Sequence, residues 1–288
     1  MPGRGINPGE KPSTRAGSKK TGNDSAGKYC VPGGPSRACD SPPGLLDIAA
    51  SYLFPRRCLF CREVLPAPSR RPLCTACRQF YKPGGRICPW CEGVFRGKAP
   101  CFCPVEEMPL RGLFVIALYD SRWRRLVHDL KYKNRKAVIA PLATWLAGEI
   151  IDHDYCNPGL VVPVPLHPVR EKERGYNQAA LLARHTARSL KIPFRKLLIK
   201  EKQTRSQTSI SRRERHENVR GAFRCLPGDY SGTKVLLVDD VYSTGSTMKE
   251  AASILSLSGA IVYGAALAYN PNTRVMQSNG FYGGLDKW

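Results

Sequence analysis

Four apolar residues in a row, Val235-Leu-Leu-Val238, run into two adjacent carboxylates, Asp239 and Asp240, and then into Val241-Tyr-Ser-Thr-Gly-Ser-Thr-Met248. An apolar run of this kind reads as a strand buried on both faces, as in a parallel sheet. Ligands of open α/β sheets sit just beyond the carboxyl ends of such strands. The next five residues, Ser243, Thr244, Gly245, Ser246 and Thr247, offer hydroxyls and backbone N–H groups at the start of a helical pattern. There the helix dipole favours an anion such as a phosphate. Asp239 and Asp240 are unsuited to a phosphate, because like charges repel. They suit a diol, such as the two ring hydroxyls of a ribose, or they help hold a divalent cation. The plain alternative is that the acidic pair only caps the following helix. A Walker A loop is excluded, because its lysine is missing.

The rest of the chain alternates strands and helices. Phe114–Tyr119 reads as a strand, and Trp123, Leu126, Val127 and Leu130 carry the spacing of a helix face. Ala137–Ile151 and Gln178–Leu190 read as further helices, and Leu160–Val164, Phe194–Ile199, Val219–Phe223 and Ala260–Tyr269 as further strands. The predicted fold class is α/β, a doubly wound, mostly parallel sheet. Residues 1–44 read as a disordered basic arm, and residues 270–288 as a loose tail. Leu45, Leu46, Ile48, Ala49, Leu53 and Phe54 mark a short amphipathic helix ended by Pro55, expected to dock on its own domain. The expected division is therefore an arm (1–44), a helix with a cysteine module (45–104), an α/β domain (105–269) and a tail (270–288).

Eight of the 12 cysteines fall in closely spaced pairs: Cys58/Cys61, Cys74/Cys77, Cys88/Cys91 and Cys101/Cys103. Each C-x-x-C sets two thiolates on one tight knuckle, and two knuckles complete a tetrahedral four-thiolate zinc site. The last pair has a single intervening residue, so the second site is the weaker signal, and the knuckles could also interleave. Such sites are closed to substrate, so the zinc would be structural and would supply folding energy. Clustered cysteines of this kind favour metal binding in a reducing compartment, here the cytoplasm, over a secreted disulfide scaffold. No apolar run reaches the length of a membrane span, about 18 residues. The net charge of +22 implies attraction to polyanions or phosphorylated substrates. Phe60, Phe80, Tyr81, Trp90 and Phe95 are expected to form the small core of the cysteine module. His128, His153, His167, His185 and His216 show no metal spacing with the cysteines and are expected to be surface or loop residues rather than general bases.

The acidic pair with its hydroxylated loop resembles the phosphoribosyl-pyrophosphate (PRPP) signature of type I phosphoribosyltransferases. Together with Phe54-Pro55, the cysteine knuckles, Leu130-Lys-Tyr-Lys133, Val162-Pro-Val-Pro165, Arg174-Gly-Tyr-Asn-Gln178 and the stretch Gln207 to Phe223, it resembles the ComF family. That family usually begins near Leu45, so residues 1–44 read either as an authentic arm or as sequence upstream of the true start.

The resemblance implies Mg²⁺-dependent transfer of phosphoribosyl from PRPP to an unidentified nitrogen acceptor, with release of pyrophosphate. It implies ribose hydroxyls on Asp239 and Asp240, the 5′-phosphate in Ser243–Thr247, and Mg²⁺ bridging pyrophosphate and ribose oxygens. Pyrophosphate needs a second anion site, and Arg174, with Arg170, follows a strand at the correct end of the sheet. The basic stretch Lys200 to Arg224 resembles a hood over PRPP, with Lys202 and Arg205 as the leaving-group candidates. The competing reading is a protein handling single-stranded DNA during uptake, with the PRPP site as a sensor and the cysteine module and basic surface on the DNA. Both readings leave room for a homo-oligomer.

Overall fold

The computed structural model describes residues 48–49, 52–66, 72–95, 101–153, 156–202 and 219–271. The expected arm (1–44), Arg205 and the tail beyond residue 271 lie outside the described residues. The elements are α1 (Thr75–Arg78), β1 (Pro83–Ile87), β2 (Val94–Phe95), β3 (Leu110–Leu118), α2 (Ser121–Tyr132), α3 (Ile139–His153), β4 (Leu160–Pro163), α4 (Pro168–Arg174), α5 (Gln178–Leu190), β5 (Leu198–Lys200), β6 (Phe223–Cys225), β7 (Lys234–Tyr242), α6 (Ser246–Leu257) and β8 (Ile261–Tyr269). One six-stranded sheet runs β2-β1-β3-β8-β7-β4. Strands β3, β8, β7 and β4 are mutually parallel, and β1 and β2 are antiparallel additions at one edge.

Period-2 alternation deals the strand side chains to two cores. On β7, Leu236 and Val238 join Trp123, Leu126, Leu142, Trp145, Leu146 and Leu182 of helices α2, α3 and α5. Val235 and Leu237 join Met248, Ala251, Ala252 and Leu255 of α6 on the other face. Helices on both faces satisfy a sheet whose strands are apolar on both sides, which is the doubly wound class expected. The helix starts are capped locally: Asp120 accepts from the Arg122 and Trp123 N–H groups at 2.9 and 3.0 Å, and Asn177 accepts from the Ala180 N–H at 3.1 Å.

Four expectations are corrected. Of the strands expected at Phe194–Ile199 and Val219–Phe223, short strands form at Leu198–Lys200 and Phe223–Cys225 and pair with each other in a separate antiparallel ribbon, while Phe194 makes only an isolated parallel bridge to Val161 of β4. The cysteine-rich segment supplies β1 and β2 to the main sheet. There β1 comes so near β3 that a Cβ on Gly84 would sit 2.8 Å from the Ala117 nitrogen, so only glycine fits. Residues 48–49 and 52–53 are helical, but Tyr52, Leu53 and Phe54 remain 72, 76 and 80% exposed, so these side chains do not dock. His153 is buried rather than exposed, tilted against the Phe114 ring. Among the described residues no helix is long and apolar enough to cross a membrane.

Candidate functional site

Because the four parallel strands point the same way, their carboxyl ends meet at one edge. Tyr119 after β3, Val164 and Pro165 after β4, Asp239 to Thr247 around the end of β7, and Asn270 after β8 line a cleft of about 450 Å³. The structure therefore brings Asp239, Asp240, Ser243, Thr244, Gly245, Ser246 and Thr247 together, as the sequence indicated. Asp239 and Asp240 still lie on β7, with Asp239 opposite Ala266 of β8. Gly245 then adopts a left-handed φ of 74° as N-cap of α6. A Cβ there would collide with the Tyr242 hydroxyl, so both backbone angle and space demand glycine. The Thr244 and Ser246 hydroxyls are 2.9 Å apart, crossing the mouth of the α6 N-terminus. The five residues thus present hydroxyls and N–H groups to the cleft where the helix dipole is positive.

The acidic pair is electrostatically loaded. Burial first, and the Asp240 carboxylate second, push the Asp239 carboxyl up to about 7, against the Asp240 N–H, which donates to Asp239 Oδ1 at 2.8 Å. Asp240 is held by Lys131 Nζ at 2.8 Å. Burial works against the Lys131 charge, but Asp240, with Asp239 behind it, keeps that ammonium above its ordinary value. Two adjacent carboxylates are hard oxygen ligands of the kind Mg²⁺ takes, and a cation beside Asp239 would offset the repulsion from Asp240, so the pair fits Mg²⁺. A pH dependence follows. The folded chain keeps the Asp239 proton above pH 4, where the unfolded chain has released it, so stability falls as pH rises from about 4 to about 7. Asp239→Asn should therefore raise Tm by roughly 3–6 °C at pH 8 and by little at pH 4. Scanning calorimetry at the two pH values checks this, and an equal shift at both would contradict it.

The opposite wall is basic. Arg170 and Arg174 reach the cleft from α4, a short helix that the sequence analysis does not assign. Arg174 Nη1 donates to Gln178 Oε1 at 3.4 Å, and its guanidinium lies 5.5 Å from the Tyr132 ring centre. Lys200 lines the cleft from β5, its ammonium lowered by burial although Asp239 opposes the shift. Lys202 does not line the cleft; it is exposed, and its Nζ donates to the Arg220 carbonyl at 3.3 Å. Lys131, Lys200, Tyr119, Asn177 and Gln178 all line the cleft and went unassigned in the sequence. Lys131 lay within the motif Leu130-Lys-Tyr-Lys133, but a helix pattern alone does not tell which strand end its polar face meets.

The eight cysteines pair in chain order, not interleaved: Cys58, Cys61, Cys74 and Cys77 form one quartet, and Cys88, Cys91, Cys101 and Cys103 the other. Within each, the sulfurs lie within 4.8 Å of one another. Cys61 and Cys74 are 3.6 Å apart, and Cys91 and Cys101 3.9 Å. A tetrahedron with bonds of about 2.3 Å sets its sulfurs about 3.8 Å apart, so both quartets could hold zinc, the second as well as the first. Phe60 packs edge-on against Trp123 at 5.4 Å and Tyr81 against Trp145 at 5.0 Å, as expected of core residues. Phe80 and Trp90 correct that expectation, being 45 and 59% exposed, while Phe95 is half-buried.

The family model of the phosphoribosyl transferase domain matches residues 177–287, which include the acidic pair and its loop. Competence protein F of Haemophilus influenzae is 31% identical over 211 residues, 70% of this chain and 91% of that protein. The chain belongs to the competence protein F family. DNA utilization protein YhgH of Escherichia coli K12, a further relative of this competence protein F homologue, is 31% identical over 214 residues, 72% of the chain and 93% of that protein. Competence protein ComFC of Bacillus subtilis is 28% identical over 191 residues, covering 64 and 77%. Among solved structures, adenine phosphoribosyl transferase from Trypanosoma brucei aligns with a TM-score of 0.35 at 15% identity, covering 60% of this chain and 77% of that one.

Proposed function

We propose that the cleft binds PRPP with Mg²⁺ and transfers its phosphoribosyl group to a nitrogen acceptor. The observation that supports this best is the shared cleft: an acidic pair at a strand end, a hydroxylated helix N-terminus beside it, and Arg170, Arg174, Lys131 and Lys200 facing both. In this reading Asp239 and Asp240 accept hydrogen bonds from the ribose hydroxyls, Ser243–Thr247 hold the 5′-phosphate, and Arg174 meets pyrophosphate. Mg²⁺, when bound, neutralises charge on the leaving group. A bond forms between the acceptor nitrogen and the anomeric carbon, the bond to pyrophosphate oxygen breaks with its electron pair, and the nitrogen loses a proton. The protein's contribution is to hold the sugar by both ends and to stabilise the departing charge. Lys202 and Arg205, in the basic stretch that resembles a hood over PRPP, would assist that departure. The quartets hold structural zinc, and the protein works in the reducing cytoplasm, where their thiols persist. Calorimetry with Mg-PRPP tests binding, and pyrophosphate release across ammonia, amines and nucleobases tests transfer. A wild-type protein that gives no heat with Mg-PRPP would remove this reading.

A second reading is favoured by a specific observation. Trp90 and Phe102, at the tips of the second quartet, are 59 and 94% exposed. Exposed aromatic rings on a strongly basic chain suit stacked bases of single-stranded DNA, and the relatives carry the names competence protein and DNA utilization protein. Fluorescence anisotropy with an oligodeoxythymidine should show salt-dependent binding that Trp90→Ala with Phe102→Ala weakens by about tenfold or more. Equal affinity in the variant would take the quartet tips out of DNA contact.

A further inference from the structure

The side chain of Asp129 in α2 is 5% exposed and is held from several sides at once. Arg62 Nη2 lies 2.8 Å away, Lys133 Nζ 3.1 Å, Arg135 Nη1 3.5 Å and His128 Nδ1 4.0 Å. Two of these partners read the first cysteine quartet. Arg62 directly follows Cys61 and has a left-handed φ of 67°, with its N–H donating to the Cys58 carbonyl at 3.0 Å, so its position is set by the knuckle itself. Arg135 also donates to the Leu59 carbonyl between the first two cysteines, at 3.3 Å. Two residues along the same helix, on a different face, Lys131 grips Asp240 at 2.8 Å. One rigid helix therefore has the first quartet tied to one side and the acidic pair of the cleft to the other.

The second knuckle repeats the device. Glu92 directly follows Cys91, has a φ of 57°, and donates its N–H to the Cys88 carbonyl at 2.9 Å. Its carboxylate accepts from the Tyr269 hydroxyl at the end of β8, at 3.3 Å. Left-handed φ is strained for non-glycine residues, and both knuckles place that strain at the residue whose side chain crosses to the sheet domain.

We infer that Asp129 is a positioning residue, which carries the state of the first cysteine quartet through Arg62 to Lys131 and so sets the geometry of Lys131 at the acidic pair. This rests on the PRPP reading above, since Mg-PRPP is the probe of that geometry. A knuckle that holds its metal fixes Arg62, Arg62 fixes Asp129, and α2 then presents Lys131 to Asp240. A knuckle that opens frees Arg62 and lets α2 shift against the cleft. By linkage the coupling runs both ways, so a filled cleft steadies the quartet.

The test is a double-mutant cycle read by calorimetry with Mg-PRPP on the full chain, with zinc content measured for every variant. Arg62→Gln and Asp129→Asn should each weaken binding by at least about fivefold, with zinc content at the wild-type level. In a Lys131→Met background the same substitutions should change the affinity by less than about twofold, because the path ends at Lys131. Mg-PRPP should also slow zinc release to a chromogenic chelator in the wild type and lose that effect in Lys131→Met. Should Asp129→Asn not fold, Arg62→Gln leaves Asp129 paired with Lys133 and Arg135 and carries the test alone. Undiminished affinity in both variants, or full additivity with Lys131→Met, would overturn the inference while leaving PRPP binding in place. Failure of the wild type to bind Mg-PRPP would instead remove the underlying reading and the role of Lys131 with it.

Discussion

Asp239→Asn combined with Asp240→Asn is expected to weaken Mg-PRPP binding at least about 100-fold in calorimetry, because two charge-assisted hydrogen bonds are lost at about 1.5–3 kcal/mol each. The phosphate loop and the basic wall stay in place, so the loss would be specific to the sugar end. The same variant should not unfold. Asp239 carries a carboxyl that the fold itself pushes up, to about 7, so its charge is a liability in the empty cleft. Removing it relieves repulsion from Asp240, while the second substitution, Asp240→Asn, leaves Lys131 without its partner. Asp239→Asn alone, which keeps the Lys131–Asp240 pair, is the variant expected to gain stability, the usual sign of a residue kept for binding rather than folding. Near-wild-type affinity in a well-folded double variant would mean that PRPP, if it binds, is held by other groups.

Loss of zinc from the first quartet should be the most damaging change to the fold. Cys58, Leu59, Leu65 and Leu73 belong to the same buried cluster as Trp123, Trp145, Leu142 and Leu236, so this knuckle is part of the main core rather than an appendage. Cys61→Ser is expected to lower Tm by more than about 10 °C, since a structural zinc contributes on the scale of 10 kcal/mol and each kcal/mol is worth about 2–4 °C in a chain of this size. Cys91→Ser, the equivalent exposed position of the second quartet, should cost distinctly less, because Trp90 and Phe102 beside it face solvent. Each variant should lose one zinc by metal analysis. Equal Tm losses for the two, or a larger loss for Cys91→Ser, would contradict the packing argument.

The elements that the sequence displayed clearly are those whose pattern is local. The apolar run Val235–Val238, the helix face Trp123-Leu126-Val127-Leu130 and the helix Gln178–Leu190 all appear where expected, because burial on a fixed period leaves a periodic trace. The helix Pro168–Arg174 is hidden under its charges, although its signals are present in the sequence: a proline in the first turn and Gly175, left-handed, just past its end. The antiparallel ribbon of Leu198–Lys200 with Phe223–Cys225 is not separable from the main sheet in the sequence, since a short apolar stretch does not name its partner strand. Lys131 escaped because its role depends on a strand more than a hundred residues away.

From the residues alone came the α/β class, the cysteine pairs and the acidic pair with its hydroxylated loop, each written in neighbouring positions and set by backbone geometry and ligand spacing. Folding alone decided that the cysteine quartets pair in chain order, that β1 and β2 extend the sheet, and that Lys131, Arg170, Arg174 and Lys200 converge on Asp239 and Asp240. The reason is physical: ionic and thiolate contacts act between groups brought together by the packing of distant segments, and no local period in a chain encodes which distant charge it will meet.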